Sequence, residues 1–254
     1  MNINGFSLLD VGANYHEKSI LVYGDSNEIV KVPFISVVFK TKNLIVLFDT
    51  GPNIDNKDIY PIMKKFSTEQ KDSERLNYQL KLLNLTIKDI DLVILSHLHF
   101  DHAGGLKLFR KSGVPILIQK EELNYAYNPD WFYKDVYFRD DFDFDDIVYE
   151  NIYGDFKVND EIKIITLPGH TPGIQGIEYK SENNKIIFTS DAIYTLDNIK
   201  PDLKRQGFDY CTSVWGSSAK KVLLRNRLDN YEIYPGHDPK FYSGKKFAPY
   251  IYKE

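Results

Sequence analysis

Five of the six histidines in this chain fall in three short segments, and their neighbours decide what they could do together. The densest segment is Ser96-His97-Leu98-His99-Phe100-Asp101-His102, with four metal-ligating side chains in six residues. A hydrophobic core has little use for such a run, because polar groups buried without partners are costly. A lone histidine is more often a hydrogen-bonded polar residue, and His16, the one outside the three segments, is read that way. His97 and His99 stand two apart at the end of an apolar run, so an extended backbone would turn both to one side, as two imidazoles converging on one ion require. Asp101 and His102 follow as the chain leaves the strand and can turn toward a second ion. Ala103-Gly104-Gly105 then lets the backbone pass close to the site and begin a helix.

The second segment is Pro168-Gly169-His170-Thr171-Pro172-Gly173, a histidine in a tight turn, and the third is Tyr234-Pro235-Gly236-His237-Asp238. Between them Thr189-Ser190-Asp191-Ala192 puts a carboxylate at a predicted strand end. His97, His99, Asp101, His102, His170, Asp191 and His237 together offer three terminal ligands for each of two metals and one carboxylate to bridge them. Imidazole and carboxylate without thiolate suit Zn2+, with Fe, Mn or Co left open. A structural zinc site would be closed and typically rich in cysteine, so two Zn2+ per chain are expected in a site with room for water and substrate. Two such ions about 3.5–4 Å apart can share a hydroxide, since coordination lowers the pKa of water toward about 7.

The elements that must position these residues are mostly strands. Runs rich in Val, Ile and Phe predict strands at Phe6–Leu9, Ile20–Tyr23, Pro33–Lys40 and Leu44–Asp49, with a hairpin turn at Lys42-Asn43. Further strands are expected at Asp91–Ser96, a short run of the kind buried on both faces, and at Pro115–Gln119, Ile162–Thr166, Ile174–Tyr179, Lys185–Thr189 and Glu232–Tyr234. Leu76, Leu80 and Leu83 share one face of a helix starting near Asp72, and a second helix is expected over Ser217–Arg227. Asn128–Tyr153, acidic and aromatic, and Tyr194–Tyr210 show no clear periodicity; loops of that length in a compact domain are usually functional or mobile. In the first of them Trp131, Phe132, Tyr133, Tyr137 and Phe138 would either line an apolar channel or anchor the loop.

No linker or repeat divides the 254 residues, so one domain over residues 1–254 is expected. Asp and Glu number 36 against 32 Lys and Arg, with no basic concentration of the kind that neutralises phosphates, so no nucleic-acid partner is expected. No apolar run approaches the ~20 residues needed to span a bilayer, and the N-terminal MNINGFSLLDVG lacks a signal-peptide pattern. The single cysteine, Cys211, fits a reducing compartment. A cytoplasmic protein acting on a small molecule without a membrane partner is expected; the oligomeric state is left open.

The order H-x-H-x-D-H, G-H-T-P-G, an isolated Asp and a late G-H resembles the metallo-β-lactamase superfamily, from Asp49 to His237. The resemblance implies an α/β fold, an αβ/βα sandwich of two facing mixed β-sheets flanked by helices, with metals at one edge. Asp49-Thr50-Gly51 is similar to the superfamily's first motif, whose Asp supports the ligands. Within the superfamily, the His97 segment with its Phe100, Ser190-Asp191-Ala192-Ile193-Tyr194-Thr195 and Gly236-His237-Asp238 look most like the N-acyl-homoserine lactonases of quorum quenching. By that similarity His97, His99 and His170 would hold one metal, Asp101, His102 and His237 the other, and Asp191 both. The expected activity is opening of the lactone ring of N-acyl-homoserine lactones by attack of a metal-bridging hydroxide. Tyr194, three residues past Asp191, would donate to the oxyanion, and Asp101 would shuttle a proton to the leaving alkoxide. The competing readings are a glyoxalase II-like thioesterase or a phosphodiesterase on the same scaffold, and, further off, a metal-dependent redox protein or a non-catalytic metal-binding module.

Overall fold

A computed structural model describes residues 4–253. The first sheet holds β1 (Gly5–Glu17), β2 (Ile29–Lys40), β3 (Ile45–Phe48), β4 (Leu92–Ile94), β5 (Pro115–Gln119) and β6 (Val148–Ile152). The second is built from β7 (Phe156–Lys157), β8 (Ile162–Thr166), β9 (Gln175–Lys180), β10 (Lys185–Phe188) and β11 (Glu232–Tyr234), and β12 (Tyr252–Lys253) returns to the first. The strand orders are β12-β1-β2-β3-β4-β5-β6 and β11-β10-β9-β8-β7. Both sheets are mixed: β3 to β6 pair in parallel, as do β10 and β11, and the remaining neighbours are antiparallel.

Side-chain alternation sorts the apolar residues into layers. Phe6, Leu8, Val37, Phe39, Val46, Phe48, Leu92 and Ile94 meet Ile162, Ile164, Ile177, Ile186 and Phe188 of the other sheet in a core between the two. The intervening Leu47 and Val93 turn outward to Met63, Leu76, Leu80, Leu106 and Leu123, which cover the first sheet. On the far side Ile165, Ile187 and Ile233 pack against Trp215, Ala219 and Val222 of the helix Thr212–Asp229. The result is the expected αβ/βα sandwich. No helix among the described residues is long and apolar enough to cross a membrane.

Several local expectations need correction. The apolar run at Ile20–Tyr23 is not a strand: Lys18–Leu21 forms a helical turn, and Leu21 and Val22, adjacent in sequence, both pack with Val32 and Tyr194. A short apolar run does not distinguish the two states, and packing decided. The Phe6–Leu9 strand continues to Glu17, bulging between Asp10 and Ala13 as it pairs with β2. The helix near Asp72 is broken at Arg75, whose extended backbone separates the 3-10 turn Asp72–Glu74 from the helix Leu76–Leu82. The strand over Asp91–Ser96 is shorter, Leu92–Ile94, so His97 and His99 lie beyond its end. The segment from Asn128 to Tyr153 contains a helical turn, Arg139–Phe142, and β6. Its aromatics mostly anchor it: Phe138 stacks on Tyr60 and Phe100, Tyr133 on Phe208, and the Tyr137 hydroxyl donates to Glu122, while Trp131 and Phe132 are exposed.

Candidate metal centre

Strands β8, β10 and β11 run in one direction, so their carboxyl ends share one edge of the second sheet. His170 follows β8, Asp191 follows β10 and His237 follows β11. His97 and His99 follow β4 of the first sheet, and the helical turn Phe100–Ala103 presents Asp101 and His102. Residues up to 140 positions apart thereby converge into two groups, His97, His99, His170 and Asp191, and Asp101, His102, Asp191 and His237. All seven sequence-predicted ligands are brought together.

Asp191 divides its carboxylate between the groups. Its Oδ2 lies 3.3 Å from His170 Nε2 and 3.7 Å from His97 Nε2. Its Oδ1 lies 2.8 Å from His237 Nε2 and 3.1 Å from His102 Nε2. His170 Nε2 and His99 Nδ1 are 3.1 Å apart, and Asp101 Oδ2 is 3.6 Å from His102 Nε2 and 3.7 Å from His237 Nε2. Tetrahedral bonds of 2.0–2.1 Å would separate ligand atoms by about 3.3 Å. The donors therefore stand at the spacing of two coordination shells sharing one carboxylate. His97 Nε2 is buried without a hydrogen-bond partner, a costly state unless a cation takes its lone pair. The residues fit a binuclear metal site.

The electrostatics also favour positive charge here. Burial pushes the His97 and His99 imidazoles well below the usual histidine range and brings His170 down to about 4, so all three rings are neutral and have a lone pair to offer. For His102 burial opposes protonation, yet the carboxylates of Asp191, Asp101 and Asp49 outweigh it and raise the ring well above that range. Asp191 is held low despite its burial because His237 and His102 stabilise its charge.

The outer nitrogens of His97, His102, His170 and His237 are fixed by the chain, which orients these four rings and directs their lone pairs inward. His237 Nδ1 donates to Pro33 O at 2.8 Å and His170 Nδ1 to Phe208 O at 3.2 Å. His102 Nδ1 lies 2.8 Å from Asp49 Oδ2, which also accepts from Ser96 Oγ at 2.8 Å, and Ser96 Oγ in turn faces His97 Nδ1 at 2.9 Å. Asp49 makes these contacts from a left-handed backbone, φ 58°, the kind of strained placement that neighbouring bonds must hold. Thr50 clamps the helical turn by donating its amide and its hydroxyl to His102 O, both at 2.8 Å. Gly104 is required at this approach, since a Cβ there would lie 2.2 Å from Asn53 N.

Sequence reasoning missed Glu122. Its fully buried carboxylate accepts from Leu98 N at 3.1 Å and Tyr137 OH at 2.9 Å through Oε1, and from Thr171 Oγ1 at 2.5 Å and Gly173 N at 3.3 Å through Oε2. It ties the loop carrying His97 and His99 to the turn carrying His170. Nothing in its local sequence distinguishes it from the neighbouring Glu121.

The two groups open into a cleft. Ile20, Leu21, Val32, Phe34, Phe66, Val136 and Phe208 form its apolar wall, with Asp101, Asp191, Tyr194 and His237 at one end and Asn14 and His16 among the other lining residues. No lysine or arginine lines it among the described residues. Tyr194 is buried, its hydroxyl 3.3 Å from His170 Nδ1, and burial together with the Asp191 charge raises the phenol well above its usual range. It is a neutral donor at the metal end of the cleft.

A family model of the metallo-beta-lactamase superfamily matches residues 34–237. Among curated proteins, an N-acyl homoserine lactonase AttM of Rhizobium radiobacter is 32% identical, with 68% of each chain covered. An N-acyl homoserine lactonase of Bacillus cereus is 28% identical, covering 87% of each chain. Among solved structures, an N-acyl homoserine lactone hydrolase with the product N-hexanoyl-L-homoserine bound at its catalytic metal center superposes with a TM-score of 0.86 at 23% identity, covering 99% of this chain and 100% of the other. AidC, a dizinc quorum-quenching lactonase, superposes at 0.67 and 20% identity, over 94% of this chain and 92% of its own. At such identities the superpositions bear on the fold.

Proposed function

The chain belongs to the metallo-β-lactamase superfamily, and from that premise we propose that it is a binuclear metal-dependent hydrolase that opens the lactone ring of N-acyl-homoserine lactones. The observation that carries the substrate is the cleft: two ligand groups sharing Asp191 open onto an apolar wall with no cation among its described residues. A glutathione thioester or a phosphodiester would call for basic side chains at that position, whereas an acyl chain calls for the wall present. The names of the curated relatives support the same reading.

His97, His99, His170 and Asp191 would hold one ion and Asp101, His102, His237 and Asp191 the other, two Zn2+ per chain by ligand type. Bound there, the ions would supply a hydroxide nucleophile at neutral pH and a Lewis acid for the carbonyl oxygen. Tyr194 donates a hydrogen bond to the oxygen that becomes negative as the carbonyl carbon turns tetrahedral; a preorganised donor of this kind contributes about 3 kcal/mol. Asp101, at the opposite group, would take up the proton of the attacking hydroxide once its oxygen is bonded to the carbonyl carbon and pass that proton to the departing ring oxygen. The apolar wall holds the acyl chain and keeps bulk water from the reacting end. Both sheets contribute ligands, which supports treating residues 1–254 as one domain, and the lone Cys211 fits a cytoplasmic enzyme.

The test is protein purified without chelator, assayed for metal content and for proton release from a long-chain N-acyl-homoserine lactone, beside a thioester and an aryl phosphodiester. Two metals per chain and acid release from the lactone alone, abolished by chelation and restored by zinc, are expected. Two bound metals with turnover only of the thioester or the phosphodiester would overturn the substrate.

A further inference from the structure

The candidate ligands come from both sheets, so their spacing depends on how the sheets are held against each other at that edge. His97 and His99 follow β4 of the first sheet, whereas His170 lies between β8 and β9 of the second. Gln175 opens β9 at this edge and is fully buried. Its side-chain Nε2 donates to Leu95 O at 2.7 Å, and its backbone N–H donates to Ser96 O at 3.0 Å. Leu95 and Ser96 are the two residues just before His97. Gln175 Oε1 accepts from Gln119 Nε2 at 2.8 Å. Gln119, at the end of β5, exchanges bonds of 2.9 and 3.0 Å with the backbone of Gly154, in the connection from β6 to β7. A carbonyl only accepts, so Leu95 O fixes which way the Gln175 amide points. The core between the sheets is otherwise apolar nearby, with Ile94, Leu117, Ile164 and Ile177. Apolar burial is non-directional and does not by itself hold an offset to the ~0.2 Å that a metal–ligand distance tolerates.

We propose that Gln175 is a positioning residue for the metal centre: the bond from its side chain to Leu95, beside that of its backbone to Ser96, sets the offset between the sheets and with it the distance from His97 and His99 to His170 and Asp191. The proposal rests on the binuclear reading and is independent of the substrate. Burying an amide is costly where an apolar side chain of similar volume would not be, and a satisfied buried polar network rigidifies the place where it sits. Glu122 joins the ligand loops themselves, whereas Gln175 joins the sheets from which they leave.

The experiment compares full-length wild type, Gln175→Met and Gln119→Met in zinc titrations against a competing chelator and in visible absorption after loading with cobalt(II). Methionine keeps most of the side-chain volume and removes the amide. Gln175→Met should lower zinc affinity at the His97, His99 and His170 group by about 10–100-fold, the range for partners that orient ligands. It should also shift the cobalt bands, which report ligand geometry rather than stability. Gln119→Met cuts the outer bond, leaves Gln175 on Leu95, and should match wild type in both readouts. Wild-type affinity and bands in Gln175→Met would overturn the proposal, and so would equal changes in the two variants, since the effect would then follow from any unsatisfied amide in the core. As a measurement that needs no variant, NMR of the zinc-loaded wild type should show the Gln175 side-chain amide protons protected from exchange with water. Rapid exchange there would also overturn it. Wild type that binds fewer than two zinc ions per chain would instead overturn the binuclear reading.

Discussion

Glu122 Oε1 lies 3.1 Å from the amide nitrogen of Leu98, the residue between His97 and His99. Through its other oxygen the same carboxylate holds Thr171 and Gly173, which flank the turn of His170. One side chain thus sets the distance between two loops that supply three of the proposed ligands. Glu122→Gln would turn an amide group toward two donors in a buried place. Metal affinity at the His97, His99 and His170 group should fall by about 10–100-fold, as for other partners that orient ligands. Titration with zinc against a competing chelator reads this, and unchanged affinity would reduce Glu122 to a packing role.

Asp191 is the only member of both ligand groups. Asp191→Asn should weaken both sites together, leaving fewer than two metals per chain after dialysis. Elemental analysis of the dialysed protein is the measurement. Full occupancy in the variant would refute the bridging role.

Tyr194→Phe removes the hydroxyl beside His170 Nδ1 while preserving the buried ring. The rate on lactones should fall by about 10²–10³-fold, the range seen on loss of one oxyanion donor, with metal content intact. An unchanged kcat would assign the oxyanion to another group.

Gly169 precedes His170 at φ 140°, and a Cβ there would lie 2.3 Å from the Trp215 Cα. Gly169→Ala should destabilise the fold by at least the ~1–3 kcal/mol typical of a strained backbone position. A lowered midpoint in thermal denaturation, together with weaker zinc binding at the His170 group, is expected. A variant as stable as wild type with normal zinc affinity would show that the turn can shift without disturbing the ligand.

The candidate ligand set was legible in the chain because its chemistry is local. Four potential ligands in six residues cannot be mistaken for a core, and the turns around His170 and His237 mark strand ends by their glycines and prolines. The strands that carry them were legible for a related reason: short runs rich in Val, Ile and Phe, bounded by turn residues, are visible in a single sequence. What escaped depended on contacts between distant parts of the chain. Glu122 meets partners 24 and 49 positions away, Asn14 meets Thr68 54 positions away, and the helical turn at Lys18–Leu21 arises from packing on Val32 and Tyr194. Residue type and spacing therefore determined which groups could bind metal. Strand register and the stacking of the two sheets decided how Asp191 divides its oxygens, what orients each imidazole, and what lines the space in front of them.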